Sequence, residues 1–175
     1  MAAARMGCRR RKRNEFSPQI NQISQMFLSQ DDLLSVVERA PLVSFDLIVR
    51  NRRGQVLLGL RKNERAKGFW FVPGGRILKN ERLDDAFVRI TQAELGQACL
   101  RKDARFLGIH EHFYSANFAG KEGVTTHYIV LAYELDWPNP PEMLPNSQHA
   151  EHEWAEPDSI RHRPDVHDNV KTYFI

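Results

Sequence analysis

The sequence predicts an α+β fold, a mixed β-sheet sandwiched between helices. Three observations predict it: several short β-rich runs, one strongly periodic central helix, and a helix near each end of the folded part. Regular strand–helix alternation is missing, which argues against a doubly wound parallel sheet. Composition agrees. The chain has 175 residues, 42% apolar and 27% charged, an ordinary globular mix for one domain. It is long enough to bury a sizeable core without staples. No stretch approaches the roughly 18 apolar residues of a membrane span, so no membrane partner is expected.

The elements follow in order. Residues 1–25 hold Arg5, Arg9, Arg10, Arg11, Lys12 and Arg13 against Glu15, a net +5, while the whole chain is +3. The remainder, 26–175, is therefore mildly acidic and forms the expected folded domain. The basic run could contact nucleic acid, but it reads as a solvated, disordered extension, and nucleic acid is not the expected partner. The basic region is followed by no apolar segment of a secretory signal, and Met26 is a second candidate start. Cys8 and Cys99 form no disulfide framework or metal quartet, so reduced thiols in a cytoplasmic protein are expected.

Ser29 or Asp31 can cap a short helix that ends at Pro41. Leu42 to Arg50 reads as a strand, Asn51-Arg52-Arg53-Gly54 as a turn, and Gln55 to Leu60 as the returning strand. Phe69 to Val72 is a short strand stopped by Pro73-Gly74-Gly75. Asn80 can cap a helix from Arg82 to Leu95, with Leu83, Ala86, Phe87 and Ile90 on its apolar face and Gly96 closing it. Strands follow near Arg105 to Tyr114 and Thr125 to Leu135. A loop over Pro138 to Pro145 leads to a short strand, His152 to Ala155, and a last helix over Val166 to Phe174.

The chemistry is concentrated between Gly74 and Gly96. Two glycines after a strand allow close backbone approach to a ligand. Glu94 continues the apolar face of the central helix, and a carboxylate aimed inward must be paired or bound to a metal. Arg89 lies eight residues after Glu81, so only a loop folding back can join them. A purely structural loop in which Glu94 meets an arginine accounts for the same residues. Asp46, between Phe45 and Leu47 in a strand, also needs a partner, which favours a site. His110 and His112 share a strand face. His149 and His152 read as surface histidines, and Trp70 and Trp154 as packing.

Gly75, Glu81, Arg89, Glu94 and Gly96 fall in register on the pattern G-x5-E-x7-R-E-U-x-E-E-x-G-U, so the stretch resembles the Nudix box. Ile90 and Ala93 stand where the family has glutamates. Those departures resemble the GDP-mannose mannosyl hydrolase branch. Further segments carry that resemblance through 26–175: Met26-Phe27-Leu28, Pro41 to Asp46, Trp70 to Arg76, His112-Phe113-Tyr114, Thr125 to Tyr128 and Gln148-His149.

The resemblance implies a Nudix-like fold and Mg²⁺-dependent hydrolysis of a GDP-sugar, GDP-mannose or GDP-glucose, to GDP and free sugar by inverting substitution at C1. It implies one Mg²⁺ per subunit, with Mn²⁺ as a substitute, held by the Gly74 carbonyl, Glu94 and Gln148. His149 would be the general base. Arg61 and Arg76 would hold the diphosphate, Asp46 would contact the sugar or water, and His112 and Tyr128 would donate to the leaving group. Phe27 and Leu28 would border the guanine. A homodimer is implied as well. Two alternatives stand beside this reading: a conventional Nudix pyrophosphatase cutting a P–O bond, and a non-catalytic nucleotide- or nucleic-acid-binding module.

Overall fold

The computed structural model describes residues 28–62, 68–141, 144–145 and 149–175. The basic extension, Phe27 and Gln148 lie outside the described residues.

Helix α1 spans Gln30–Arg39. Of the two candidate caps, Ser29 serves: its hydroxyl accepts from the Asp32 amide at 3.1 Å, and Asp31 and Asp32 sit in the first turn, where acids suit the dipole. Ala40, ahead of Pro41, is extended, as the proline ring requires. Strand β1, Leu42–Arg50, covers the expected range and leads into β2, Val56–Arg61. In the turn between them Gly54 takes φ 82°, and the Asn51 side chain accepts from the amides of Arg53 and Gln55.

The next strands are β3 (Trp70–Phe71), β4 (Gly74–Arg76), β5 (Arg105–Tyr114), β6 (Thr126–Asp136) and β7 (His149–Ala155). The sheet runs β3-β2-β1-β6-β5, with β4 joined to β1 and β7 to β2. It is mixed: β1 is parallel to β6 from Leu42↔Tyr128 to Arg50↔Asp136, and every other pair is antiparallel.

Strand β1 is buried from Ser44 to Val49 because both sheet faces are covered. Phe45, Leu47 and Val49 face helix α2, Leu83–Leu95, where Phe45, Phe87 and Tyr133 meet edge to face with centroids 5.3–5.5 Å apart. Ile48 faces the opposite core. That core is closed by Ile160 of α3 (Pro157–His162), Val170 of α4 (Asp168–Lys171) and Phe174 of the 3₁₀ turn Thr172–Phe174. Strand alternation puts Asp46 on this second face.

Several expectations need correction. Pro73-Gly74-Gly75 does not simply end a strand, because Gly74–Arg76 pairs with β1. Asn80 is not the cap of α2: Arg82 takes that place without a side-chain bond, and Asn80 adopts φ 65°, a conformation asparagine tolerates. Strand β7 begins three residues earlier than expected, at His149. Pro157–His162 is an additional helix, with proline suited to its first turn. The last helix is shorter and finishes as a 3₁₀ turn. Cys99 is buried, with its amide donating to the Thr91 hydroxyl at 2.9 Å, and Cys8 lies outside the described residues.

Candidate active site

A cavity of about 490 Å³ opens between β1, β4, α2 and the β5–β6 pair. Seven residues expected in the site line it together: Asp46, Arg61, Gly74, Arg76, Glu94, His112 and Tyr128. They come from six elements and are brought together only by the sheet.

The loop after β4 is shaped by a closed clasp. Arg89 Nε and Nη2 donate to the two carboxylate oxygens of Glu81 at 2.6 and 2.8 Å. Arg89 Nη2 also donates to the Arg76 carbonyl at 2.9 Å, and the Leu78 amide donates to Glu81 at 3.0 Å. The folded-back pairing expected of Glu81 and Arg89 is therefore present. The glycines at its entrance are required by space. A Cβ on Gly74 would collide with the Phe45 carbonyl and come within 3.0 Å of Asp46 Oδ1, and one on Gly75 would reach the Ile90 side chain at 3.1 Å.

Asp46 is buried, and its Oδ2 accepts from the Tyr173 hydroxyl at 2.7 Å. Burial pushes its carboxyl up to about 6, while the Tyr173 bond and the nearby Arg61 charge pull the other way. His112 Nδ1 lies 4.0 Å from the same oxygen. Burial first, then the neighbouring His110 and His167, depress the His112 pKa to about 4, so its imidazole is neutral at ordinary pH. Burial raises the Tyr114 hydroxyl to about 12. The Arg61 guanidinium lies 5.3 Å from the Phe71 ring centroid, and its buried Nε has no hydrogen-bond partner among the described residues.

Glu94 is 4% exposed and borders the cavity from α2. Next to it stands His149, 1% exposed, with Nε2 3.3 Å from Glu94 Oε2 but not aligned as a hydrogen bond. The His149 ring packs on Gly59, where any Cβ would collide with it. His149 is not among the residues that line the cavity. Leu28 is not there either, and it is 48% exposed. The missing acids are explicit: Ile90 and Ala93 both face the cavity. Among the described residues no group of three or more His, Cys, Asp or Glu side chains is placed to share a metal.

Tyr173 was not identifiable from the sequence. It lies 127 residues from its partner Asp46, and no local pattern marks it. Tyr114 was visible only inside the His112-Phe113-Tyr114 segment, without a role.

A mixed sheet between helices thus carries a glutamate–arginine clasp and a buried carboxylate, Glu94, at one cavity. The NUDIX domain family matches residues 40–174, and the chain belongs to that family. Its members generally work with divalent metal ions such as Mg²⁺.

The chain is 44% identical over 109 residues to the low-salt glycan biosynthesis protein Agl8 of Haloferax volcanii, covering 62% of this chain and 67% of that one. Among solved structures it resembles the MutT protein of Methanosarcina mazei, with 21% identity, TM-score 0.62, and 78% and 92% of the two chains covered. It also resembles a MutT Nudix hydrolase of Burkholderia pseudomallei, with 23% identity, TM-score 0.60, and 78% and 97% covered. A third likeness is to the Nudix domain of Shewanella oneidensis NrtR in complex with ADP-ribose, with 17% identity, TM-score 0.57, and 83% and 95% covered. These structures establish the shared fold.

Proposed function

We propose that the protein hydrolyses a GDP-sugar, GDP-mannose foremost, by substitution at the sugar C1, releasing GDP and the free sugar with inversion. One observation carries this reading. Where the Nudix box has two further glutamates, Ile90 and Ala93 face the cavity, while a buried acid from outside the box, Asp46, lines it. The acid supply has moved away from the phosphate-attacking helix. A relative whose name places it in glycan biosynthesis fits a nucleotide-sugar substrate.

The residues present suit a hard cation. Glu94 offers a buried carboxylate at the cavity, and Gly74 brings backbone there because it lacks a Cβ. Oxygen donors of this kind match Mg²⁺, which retains waters and needs only one or two carboxylates. Glu94, the Gly74 carbonyl and Gln148 would hold it, and when bound it neutralises diphosphate charge. Arg61 and Arg76 hold the diphosphate and stabilise the negative charge that develops as GDP departs. A diphosphate so held leaves without a proton donor, and the site needs one base for water rather than a carboxylate pair.

Asp46 lines the cavity and can accept the water proton, whereas His149 is not among the lining residues and has its Nε2 3.3 Å from Glu94 Oε2. Asp46, which lines the cavity, is the first candidate for the base and His149 the second.

Hydrolysis of GDP-mannose with Mg²⁺ in ¹⁸O-labelled water tests the reaction. Label in free mannose with unlabelled GDP is expected. Label in GMP or mannose 1-phosphate means ordinary P–O cleavage and overturns the reading. Asp46→Asn should lower turnover by about 10²–10⁴-fold, with His149→Ala costing less; the reverse order returns the base to His149. A homodimer belongs to the same proposal, and a sedimentation mass of one chain at micromolar concentration would contradict it.

A further inference from the structure

We propose that Tyr173 is a positioning residue of this site: its hydroxyl ties Asp46 to His112, fixing the direction of the carboxylate and the tautomer of the imidazole. The inference deepens the function proposed above and rests on Asp46 being part of the reacting site.

The Tyr173 hydroxyl lies 2.7 Å from Asp46 Oδ2 and 3.1 Å from His112 Nε2. The tyrosine is held in place from both sides. Its ring meets His110 edge to face, with centroids 4.8 Å apart, and the adjacent Phe174 is buried in the second core. A tyrosine hydroxyl has one proton, and an ionised carboxylate can only accept. The proton therefore goes to Asp46. The hydroxyl oxygen then faces Nε2 with a lone pair, so the 3.1 Å contact is a hydrogen bond only if Nε2 carries the imidazole proton. A neutral imidazole has one such proton, which leaves Nδ1 bare, 4.0 Å from Asp46 Oδ2.

This arrangement gives the corner a chemical preference. Nδ1 and the Asp46 carboxylate are acceptors side by side, so the corner takes hydroxyl groups or water and repels phosphate oxygens. The donors, Arg61 and Arg76, belong to the same cavity. A nucleotide sugar accordingly enters with its phosphates on the arginines and its hydroxyl-bearing sugar at Asp46 and His112. This revises the role expected for His112: with a bare Nδ1 it receives a hydrogen bond from the sugar or water and does not donate to the leaving diphosphate.

The test is a two-bond ¹H–¹⁵N spectrum of histidine-labelled protein at pH 7.5, with His112 assigned by its absence in His112→Gln. The expected wild-type pattern is a protonated, pyrrole-type Nε2 and an unprotonated, pyridine-type Nδ1. In Tyr173→Phe, which keeps the ring, that fixed tautomer should give way to a mixture. On GDP-mannose, kcat should fall about 10–100-fold with little change in KM, as for residues that orient a reacting group. A wild-type His112 protonated at Nδ1 overturns the proposal. So does a His112 that keeps its Nε2 proton in Tyr173→Phe, whatever the activity. The spectrum needs no substrate, so P–O cleavage in the labelled-water experiment would sink the proposed reaction while leaving this test to stand or fall separately.

Discussion

Two acids close to the same cavity, Glu81 half-buried and Asp46 buried, behave differently, and their partners explain why. Glu81 spends both carboxylate oxygens on Arg89 and the Leu78 amide, inside a clasp that also engages the Arg76 carbonyl. Asp46 accepts from one neutral hydroxyl, with the Arg61 charge nearby, and its carboxyl is pushed up to about 6. Burial alone does not make an acid reactive. Glu81 is surrounded by donors and shapes the loop, whereas Asp46 is undersupplied and remains available for chemistry.

The largest expected effect lies on the cavity side. Arg61→Met should lower kcat by about 10²–10³-fold, the cost of losing one preorganised charge at developing anionic character. Its Tm should stay near wild type, because the Nε of Arg61 has no partner to lose among the described residues. A large fall in Tm would make Arg61 part of the scaffold and blur the contrast.

Next comes the clasp. Glu81→Ala strips Arg89 of two charge-assisted bonds and leaves the Leu78 amide unsatisfied. With the Glu81 side chain 7% exposed and that of Arg89 25%, the pair is neither a surface bridge nor fully buried. A loss of about 2–4 kcal/mol is expected, between the values for those two extremes. Calorimetry should read it as a Tm drop of about 4–16 °C.

The third expectation is a pH dependence. Asp46 titrates near 6 in the folded chain against an ordinary 3.8, so the folded state holds its proton more tightly. That contribution is fully present below about pH 4 and is lost as pH rises to about 6. His112 runs the other way: its neutral form favours the fold above about 6.5, and this is lost as pH falls toward 4. Comparison with Asp46→Asn isolates the first effect. From pH 4 to pH 6, wild type should lose about 2–3 kcal/mol relative to the variant in urea unfolding. A flat difference would mean that Asp46 is better solvated than its burial implies.

The smallest effect is a control. Asp84 pairs with Arg101 at 2.6 Å but is 73% exposed, so Asp84→Ala should cost at most about 1 kcal/mol. A cost near that of Glu81→Ala would show that burial does not separate the clasp from an ordinary surface pair.

Much of this was legible in the sequence wherever the signal was local. The range of β1 follows from a continuous β-rich run between a proline and a turn. Helix α2 follows from its apolar spacing and from Gly96, which takes φ 70°. The clasp was legible because Glu81 and Arg89 belong to one motif. Strand β4 was hidden because glycine and arginine carry no β signal; pairing with β1 makes the strand, a tertiary effect overriding propensity. Tyr173 was hidden for a similar reason, since its role depends on a core that returns the last helical turn to β1. His149 is marked by its motif, but the motif does not show that its ring packs on Gly59 with Nε2 3.3 Å from Glu94 Oε2.

The parallel pairing of β1 with β6 has a consequence for how the chain is made. Leu42 waits for Tyr128, and Arg50 for Asp136, partners about half the chain away. During synthesis β1 can pair early with β2 at Arg50 and with β4 at Ser44 to Asp46, but its other edge stays open until β6 has left the ribosome. Such distant pairing is slow, and an open apolar strand edge invites misassociation. The wall that carries Asp46 is therefore completed late, and a nascent chain stopped before β6 should be sticky rather than partly active.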